Sequence, residues 1–201
     1  MRTDQEILMD NLTLPIFPLP ILLLPGGKIR LRVFESKYIK LISIASSKKC
    51  FIIQQRPDCD DTGSDETEND SIGNLVEVSD FNQGKDGILE VDVYCVSIIK
   101  VNEIMTEGDL TFGTITPMTH WSEESRPFSQ QKSELATSLN NIINGDMMLS
   151  SLYKDKLLAN ESWVVARWLE LLPITLTMKK SFIFSQGFTE AKELVESIIY
   201  K

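Results

Sequence analysis

The chain has 201 residues, a formal net charge of -9, 42% hydrophobic residues and 24% charged residues. This is ordinary globular composition, and a chain of this length buries about 70% of the surface its unfolded form exposes, so collagen-like, coiled-coil and largely disordered classes are excluded. The acidic balance repels duplex nucleic acid and anionic membranes at long range. Cys50, Cys59 and Cys95 are odd in number and lack zinc spacing, and His120 is the only histidine, so free thiols in a reducing compartment are expected, with no metal. Met1-Arg2-Thr3-Asp4-Gln5-Glu6 is acidic where a secretory signal is basic. The apolar run Leu12–Leu24 is too short to span a bilayer and is broken by Pro15, Pro18 and Pro20. A cytoplasmic protein is the reading.

In chain order, Leu14–Leu19 is extended because each proline drives its predecessor out of the helical region, and Pro25-Gly26-Gly27 is a turn. Lys28–Phe34 alternates with period two, placing Ile29, Leu31 and Val33 on one face and Lys28, Arg30 and Arg32 on the other. Ser36 is positioned to cap a helix carrying Tyr38, Leu41, Ile42 and Ala45. Cys50–Gln55 reads as a strand ended by Pro57, and 58–70 as a mobile acidic loop with too little apolar content to pack. Strands follow at Ile72–Val78, Gly87–Val101 and Leu110–Ile115, with Gln83–Gly87 as a turn.

Beyond Pro117 the pattern becomes helical. Phe128–Ile143 presents Leu135, Leu139, Ile142 and Ile143; Asn160 caps a helix aligning Val164, Trp168, Leu171 and Leu172 that Pro173 stops; Thr189 caps a last helix burying Leu194, Val195, Ile198 and Ile199. The fold class is therefore α+β, divided into a β-rich part over 1–118 and a helical part over 119–201.

No catalytic constellation is complete. Pro25-Gly26-Gly27-Lys28 lacks the first glycine of a phosphate loop, where Leu22 stands, and the hydroxyl after the lysine, where Ile29 stands. Ser46–Lys49 and Ser129–Lys132 fit a serine–lysine spacing without its partner motifs. Asp58–Asn69 begins like a calcium loop but ends in Asn69 instead of a bidentate glutamate. His120 has no carboxylate and nucleophile beside it in sequence, so a surface or hinge role is expected. Between Lys28 and Lys49 seven basic residues face one acid, Glu35. That is a solvated strand face or a docking surface for an acidic segment.

Leu14-Pro15-Ile16-Phe17-Pro18-Leu19, Leu22-Leu23-Leu24-Pro25-Gly26-Gly27 and Leu31-Arg32-Val33-Phe34-Glu35-Ser36-Lys37-Tyr38 together resemble the opening of the LON domain, the substrate-recognition region of the ATP-dependent protease Lon. Lys37 stands for the usual arginine, and Cys95, Ile98 and Ile99 depart from the family's Gly-x-x-Arg-Phe strand. Ser162–Pro173 resembles the helix of short, stand-alone bacterial LON proteins. The resemblance implies a PUA-like pseudo-barrel followed by a helical bundle, without the ATPase and protease modules of Lon.

The expected function is non-catalytic binding of unfolded or extended polypeptide segments, as a recognition domain or as an adaptor to a protease or chaperone. An RNA-binding PUA-like module and an enzyme with an unrecognised site are the alternatives. Binding residues are sought at Arg30, Arg32, Phe34, Glu35, Tyr38 and Trp121, with no catalytic residue, metal or cofactor. Phe34 and Tyr38 also suit core packing, and Glu35 suits a cap or a pair with Arg30 or Arg32. Trp163, Arg167 and Glu170 share one helix face and suit docking of that helix onto the barrel as readily as binding.

Overall fold

A computed structural model describes residues 12–54, 71–124, 126–128, 134–183 and 187–200. The acidic segment 58–70, with Cys59 and the calcium-like pattern, lies outside the described residues, as does the serine–lysine pattern at 129–132. The residues cluster into two compact units: those up to Ile21 with Arg30–Met118, and Leu22–Ile29 with Thr119 onward.

The first unit is built on six strands: β1 (Thr13–Pro18), β2 (Lys28–Val33), β3 (Cys50–Gln54), β4 (Ile72–Gln83), β5 (Leu89–Glu107) and β6 (Leu110–Met118). β1 runs parallel to β3 and antiparallel to β6, β3 runs antiparallel to β4, and β4 antiparallel to β5. The length of β5 closes the circuit. Its first part, to Lys100, pairs with β4, and Ile98–Glu107 pairs with β6. Five strands thus form a closed ring, and β2 adds to β5 outside it. Closure removes most sheet edges. Leu14, Ile16, Ile52, Leu75, Ile99, Val101 and Ile115 fill the interior.

Helix α1 (Ser36–Lys48) buries Leu41, Ile42 and Ala45. Its cap corrects the expectation. Glu35, extended at φ -78°, occupies the N-cap without a side-chain cap bond, and Ser36 is the first helical residue. The helix ends at Lys49, whose φ of 63° is left-handed. β4, β5 and β6 run longer than their apolar alternation indicates, because their outer ends carry polar residues on both faces. Gly108 (φ 63°) starts the two-residue turn between β5 and β6, and Asp109 keeps negative φ, the pattern of a type II′ hairpin.

The second unit contains a 3-10 turn (Trp121–Glu123) and helices α2 (Glu134–Gly145), α3 (Met147–Leu152), α4 (Glu161–Leu171), α5 (Leu176–Ser181) and α6 (Gly187–Ile199). α4 is the central element: Ser162–Leu169 are all buried. Asn160 caps it as expected, Leu172 closes it, and Pro173 follows. Elsewhere the buried stripes differ from the pattern. On α2, Leu135, Leu139 and Ile143 are buried but Ile142 is exposed. Leu171 is exposed on α4. On α6 the stripe is Phe188, Ala191 and Val195, one turn earlier, because the helix already includes Thr189; Ile198 is exposed and Leu194 and Ile199 are half-buried. No helix among the described residues is long and apolar enough to cross a membrane.

Candidate functional site

The junction of β2 and α1 gathers three of the sequence-selected residues. Leu31 and Val33 turn inward and fix the strand. The chain then bends at Glu35, whose carbonyl accepts from the N–H groups of Tyr38 and Ile39 at 3.0 Å. Tyr38 is half-buried and stacks on Phe17, with ring centroids 4.6 Å apart. Phe34 does not pack as a core residue: it is 71% exposed, the most exposed aromatic side chain among the described residues. It precedes the N-cap, and Ile39, also exposed, is the fourth helical residue. These are the positions of a hydrophobic staple. Here the staple lies open to solvent.

Beside this junction is a notch of about 140 Å³ lined by Ile16 and Pro18 of β1, Lys37 and Tyr38 of α1, and Asp109, Leu110 and Thr111 at the β5–β6 turn. Its lining mixes apolar side chains with the charged Lys37 and Asp109, and its exposed surface is more polar than apolar. Glu35 pairs with Lys37 at 3.3 Å, not with Arg30 or Arg32. The Lys37 ammonium lies 4.7 Å from the Tyr38 ring centre. The Tyr38 hydroxyl, then Glu35, raise its pKa above the ordinary lysine value. Lys40 reaches Asp109 at 3.4 Å. Such a mixed lining can meet both the apolar and the polar parts of a side chain.

Arg30 and Arg32 belong to a different surface, and neither is a free cation. Arg30 grips Asp92 through Nε (2.6 Å) and Nη2 (2.8 Å), with Glu90 at 3.6 Å. The Asp92 hydrogen bond holds the guanidinium firmly protonated against the cost of burial. Arg32 pairs with Asp86 beside the β4–β5 turn. The acids come from β5 and its turn, residues that sequence spacing alone does not bring to β2.

Trp121 and His120 lie in the second unit, and both are buried at 1% exposure. The Trp121 indole donates to the Phe182 carbonyl (2.7 Å) and its ring packs on Phe188 and His120. His120 is thus not a surface residue. Its Nδ1 accepts from the Ser122 N–H (3.1 Å) and lies 2.7 Å from Ser122 Oγ, capping the 3-10 turn. Accepting at Nδ1 places the proton of the neutral ring on Nε2. Burial pushes its pKa down to about 4; the Phe182 carbonyl offsets part of this and the Arg167 charge adds to it. A serine–histidine pair is present, but it is buried and its base is too weak for proton abstraction near pH 7.

The face of α4 carrying Trp163, Arg167 and Glu170 holds the Pro25-Gly26-Gly27 turn. Arg167 Nη2 donates to the carbonyls of Leu24 (2.9 Å) and Pro25 (3.3 Å) and to Glu170 Oε1 (2.8 Å), which also accepts from the Leu24 N–H at 2.6 Å. The guanidinium lies over Trp163. Gly26 has φ 86°, and a Cβ there would sit 3.0 Å from Arg167 Nη1; a Cβ on Gly27 would collide with Glu170 Oε1. Burial pushes the Glu170 carboxyl up, and Arg167, the Leu24 N–H and Lys179 draw it back. Two motifs that are distant in sequence are thus one structural clamp.

A family model described as the ATP-dependent protease La (LON) substrate-binding domain matches residues 13–173. The chain belongs to this family. The LON-domain fold is seen again in two solved structures. One is a Lon N-terminal domain protein from Xanthomonas campestris (24% identity, TM-score 0.64, covering 92% of this chain and 98% of that one). The other is the N-terminal domain of Mycobacterium avium complex Lon protease (12% identity, TM-score 0.56, 92% and 96%). No curated protein is matched by this sequence. The family is described as a substrate-binding domain, and the clamp residues of this chain fall within the matched region.

Proposed function

We propose that this LON-domain protein is a non-catalytic polypeptide-binding protein, a recognition or adaptor module for unfolded or extended chains, and that it binds them at the β2–α1 junction and the adjoining notch. Phe34 carries the reading. A phenylalanine this exposed loses apolar stabilisation unless something covers it. Its neighbours in the same motif all have structural work: Leu31 and Val33 in the core, Glu35 at the bend, Tyr38 on Phe17. Free thiols at Cys50 and Cys95 suit a reducing cytoplasm.

An RNA-binding role for a PUA-like barrel is disfavoured by the net charge of -9 and by the carboxylates already seated on Arg30 and Arg32. Hydrolysis at His120 and Ser122 is disfavoured by their burial. Neither nucleic acid nor membrane is a partner in this reading.

The test is calorimetric titration with casein as the unfolded chain, for the wild type, Phe34→Ala and Phe34→Asp. The expected result is a negative heat-capacity change with weak salt dependence, and affinity falling in that order of variants. Binding that ignores position 34, or RNA binding with a steep salt slope, would overturn it.

A further inference from the structure

The far end of β5 is exposed, while its hairpin partner β6 is anchored on β1 through Pro15–Phe112, Leu14–Gly113 and Thr13–Thr114. Asn102–Asp109 are eight consecutive exposed residues, and both Ile104 and Met105, which face opposite sides of the ribbon, are 48% exposed. Pairing with β4 ends at Ile72 opposite Lys100, so beyond that point β5 has β6 on one side and, among the described residues, no strand on the other. A two-residue hairpin is closed by a hydrogen-bonded pair, here Glu107 with Leu110. Alternation from it turns the N–H and C=O of Met105 toward β6, and Glu103 follows by donating to Thr114 Oγ1 at 3.1 Å. The N–H and C=O of Ile104 and Thr106 therefore point to the open edge. Glu103, Met105 and Glu107 share one face, an apolar side chain between two carboxylates, with Asp109 at the tip paired to Lys40 and Lys100 at the foot.

We infer that the open edge of β5 over Asn102–Glu107 is a second polypeptide-binding element, which pairs as a strand with an extended segment carrying basic residues on either side of an apolar centre. It rests on the polypeptide-binding reading but uses main-chain hydrogen bonds in place of the Phe34 surface. The charge selects the occupant. Cationic side chains opposite Glu103 and Glu107 gain from cross-strand pairing, while apolar ones cover Ile104 and Met105. A second copy of the chain is a poor occupant, since antiparallel self-pairing about Met105 sets Glu103 against Glu107. The same carboxylates discourage edge-to-edge aggregation.

The probe is a labelled peptide with the core Lys-Thr-Val-Ile-Lys, followed by fluorescence anisotropy on the full chain at low salt. Its controls are a Glu-Thr-Val-Ile-Glu core and a basic core N-methylated at alternate amides. The basic peptide is expected to bind at least about tenfold tighter than either control. The double variant Glu103→Lys with Glu107→Lys should reverse the charge preference; it alters exposed side chains only, and thermal unfolding checks that the fold is kept. Thr106→Pro, which removes an outward N–H, should weaken the basic peptide. Equal binding of the N-methylated peptide, an unchanged preference in the double variant, or a concentration-dependent dimer abolished by Thr106→Pro would overturn the inference. Casein is titrated in parallel. If it binds wild type while the peptide shows none of these dependences, only the open edge is excluded; if neither binds, the polypeptide-binding reading falls too.

Discussion

At the residue scale, the buried His120 makes folding depend on pH. Its folded pKa of about 4 lies below the ordinary 6.5, so between these values the unfolded chain binds the extra proton. The stabilisation from keeping the ring neutral is complete above about pH 6.5 and is lost as pH falls toward 4. Going from pH 7 to pH 5 should cost the wild type about 2 kcal/mol from this group. Glu170, with a raised pKa, contributes a slope of opposite sign, so the difference between wild type and His120→Asn isolates the histidine. Urea denaturation of both proteins across that range is the check: the variant's stability should change less on acidification. The PGG clamp gives a second expectation. Gly26→Ala adds a Cβ at positive φ against Arg167 and should destabilise by about 1–2 kcal/mol. Glu170→Met leaves the buried Arg167 charge and the Leu24 N–H without their carboxylate and should cost about 3–5 kcal/mol, read by thermal or chemical denaturation.

At the element scale, the β2–α1 junction sets the exposed Phe34 beside the inward Leu31 and Val33. Phe34→Ala should change stability by no more than about 0.5 kcal/mol, because the side chain is solvent-exposed. Leu31→Ala on the inward face should cost about 2–5 kcal/mol. Comparing both variants in denaturation and in casein binding distinguishes an exposed binding group from a core group. Much of this element was legible from sequence. Alternation over Lys28–Val33 places Leu31 and Val33 inward, and the spacing of Leu41, Ile42 and Ala45 marks the buried face of α1. The exposure of Phe34 was not legible, because an aromatic next to a strand end packs or projects according to how the chain bends at Glu35. The charges on Arg30 and Arg32 were visible, but the carboxylates that neutralise them lie about sixty residues away and arrive only through strand pairing. The exposed end of β5 was missed for a related reason. Its residues alternate weakly, and Glu107-Gly108-Asp109-Leu110 is a turn signal that only the pairing register makes decisive.

At the scale of the whole molecule, the α+β class follows from the change of hydrophobic period near Pro117, and β-strands give way to helices there. Closure of the barrel through a single long β5 does not follow from period, since one strand serving two partners reads in sequence as two segments. Nor does the association of Leu22–Ile29 with the C-terminal unit: Arg167 and Glu170 on Leu24 and Pro25, and Tyr153 and Leu152 on Lys28, explain why a segment between two strands clusters with helices near the other end. Gly26 and Gly27 of the opening motif thus answer to α4, while Phe34 of the same motif stays exposed.

Hydrogen–deuterium exchange of the full chain with and without saturating casein locates the bound polypeptide. Binding at the β2–α1 junction adds protection over Val33–Lys40 and at the notch residues Asp109–Thr111, with the Pro25–Gly27 clamp unchanged. Protection confined to the helices of the second unit, or no change anywhere despite measurable binding, would contradict it.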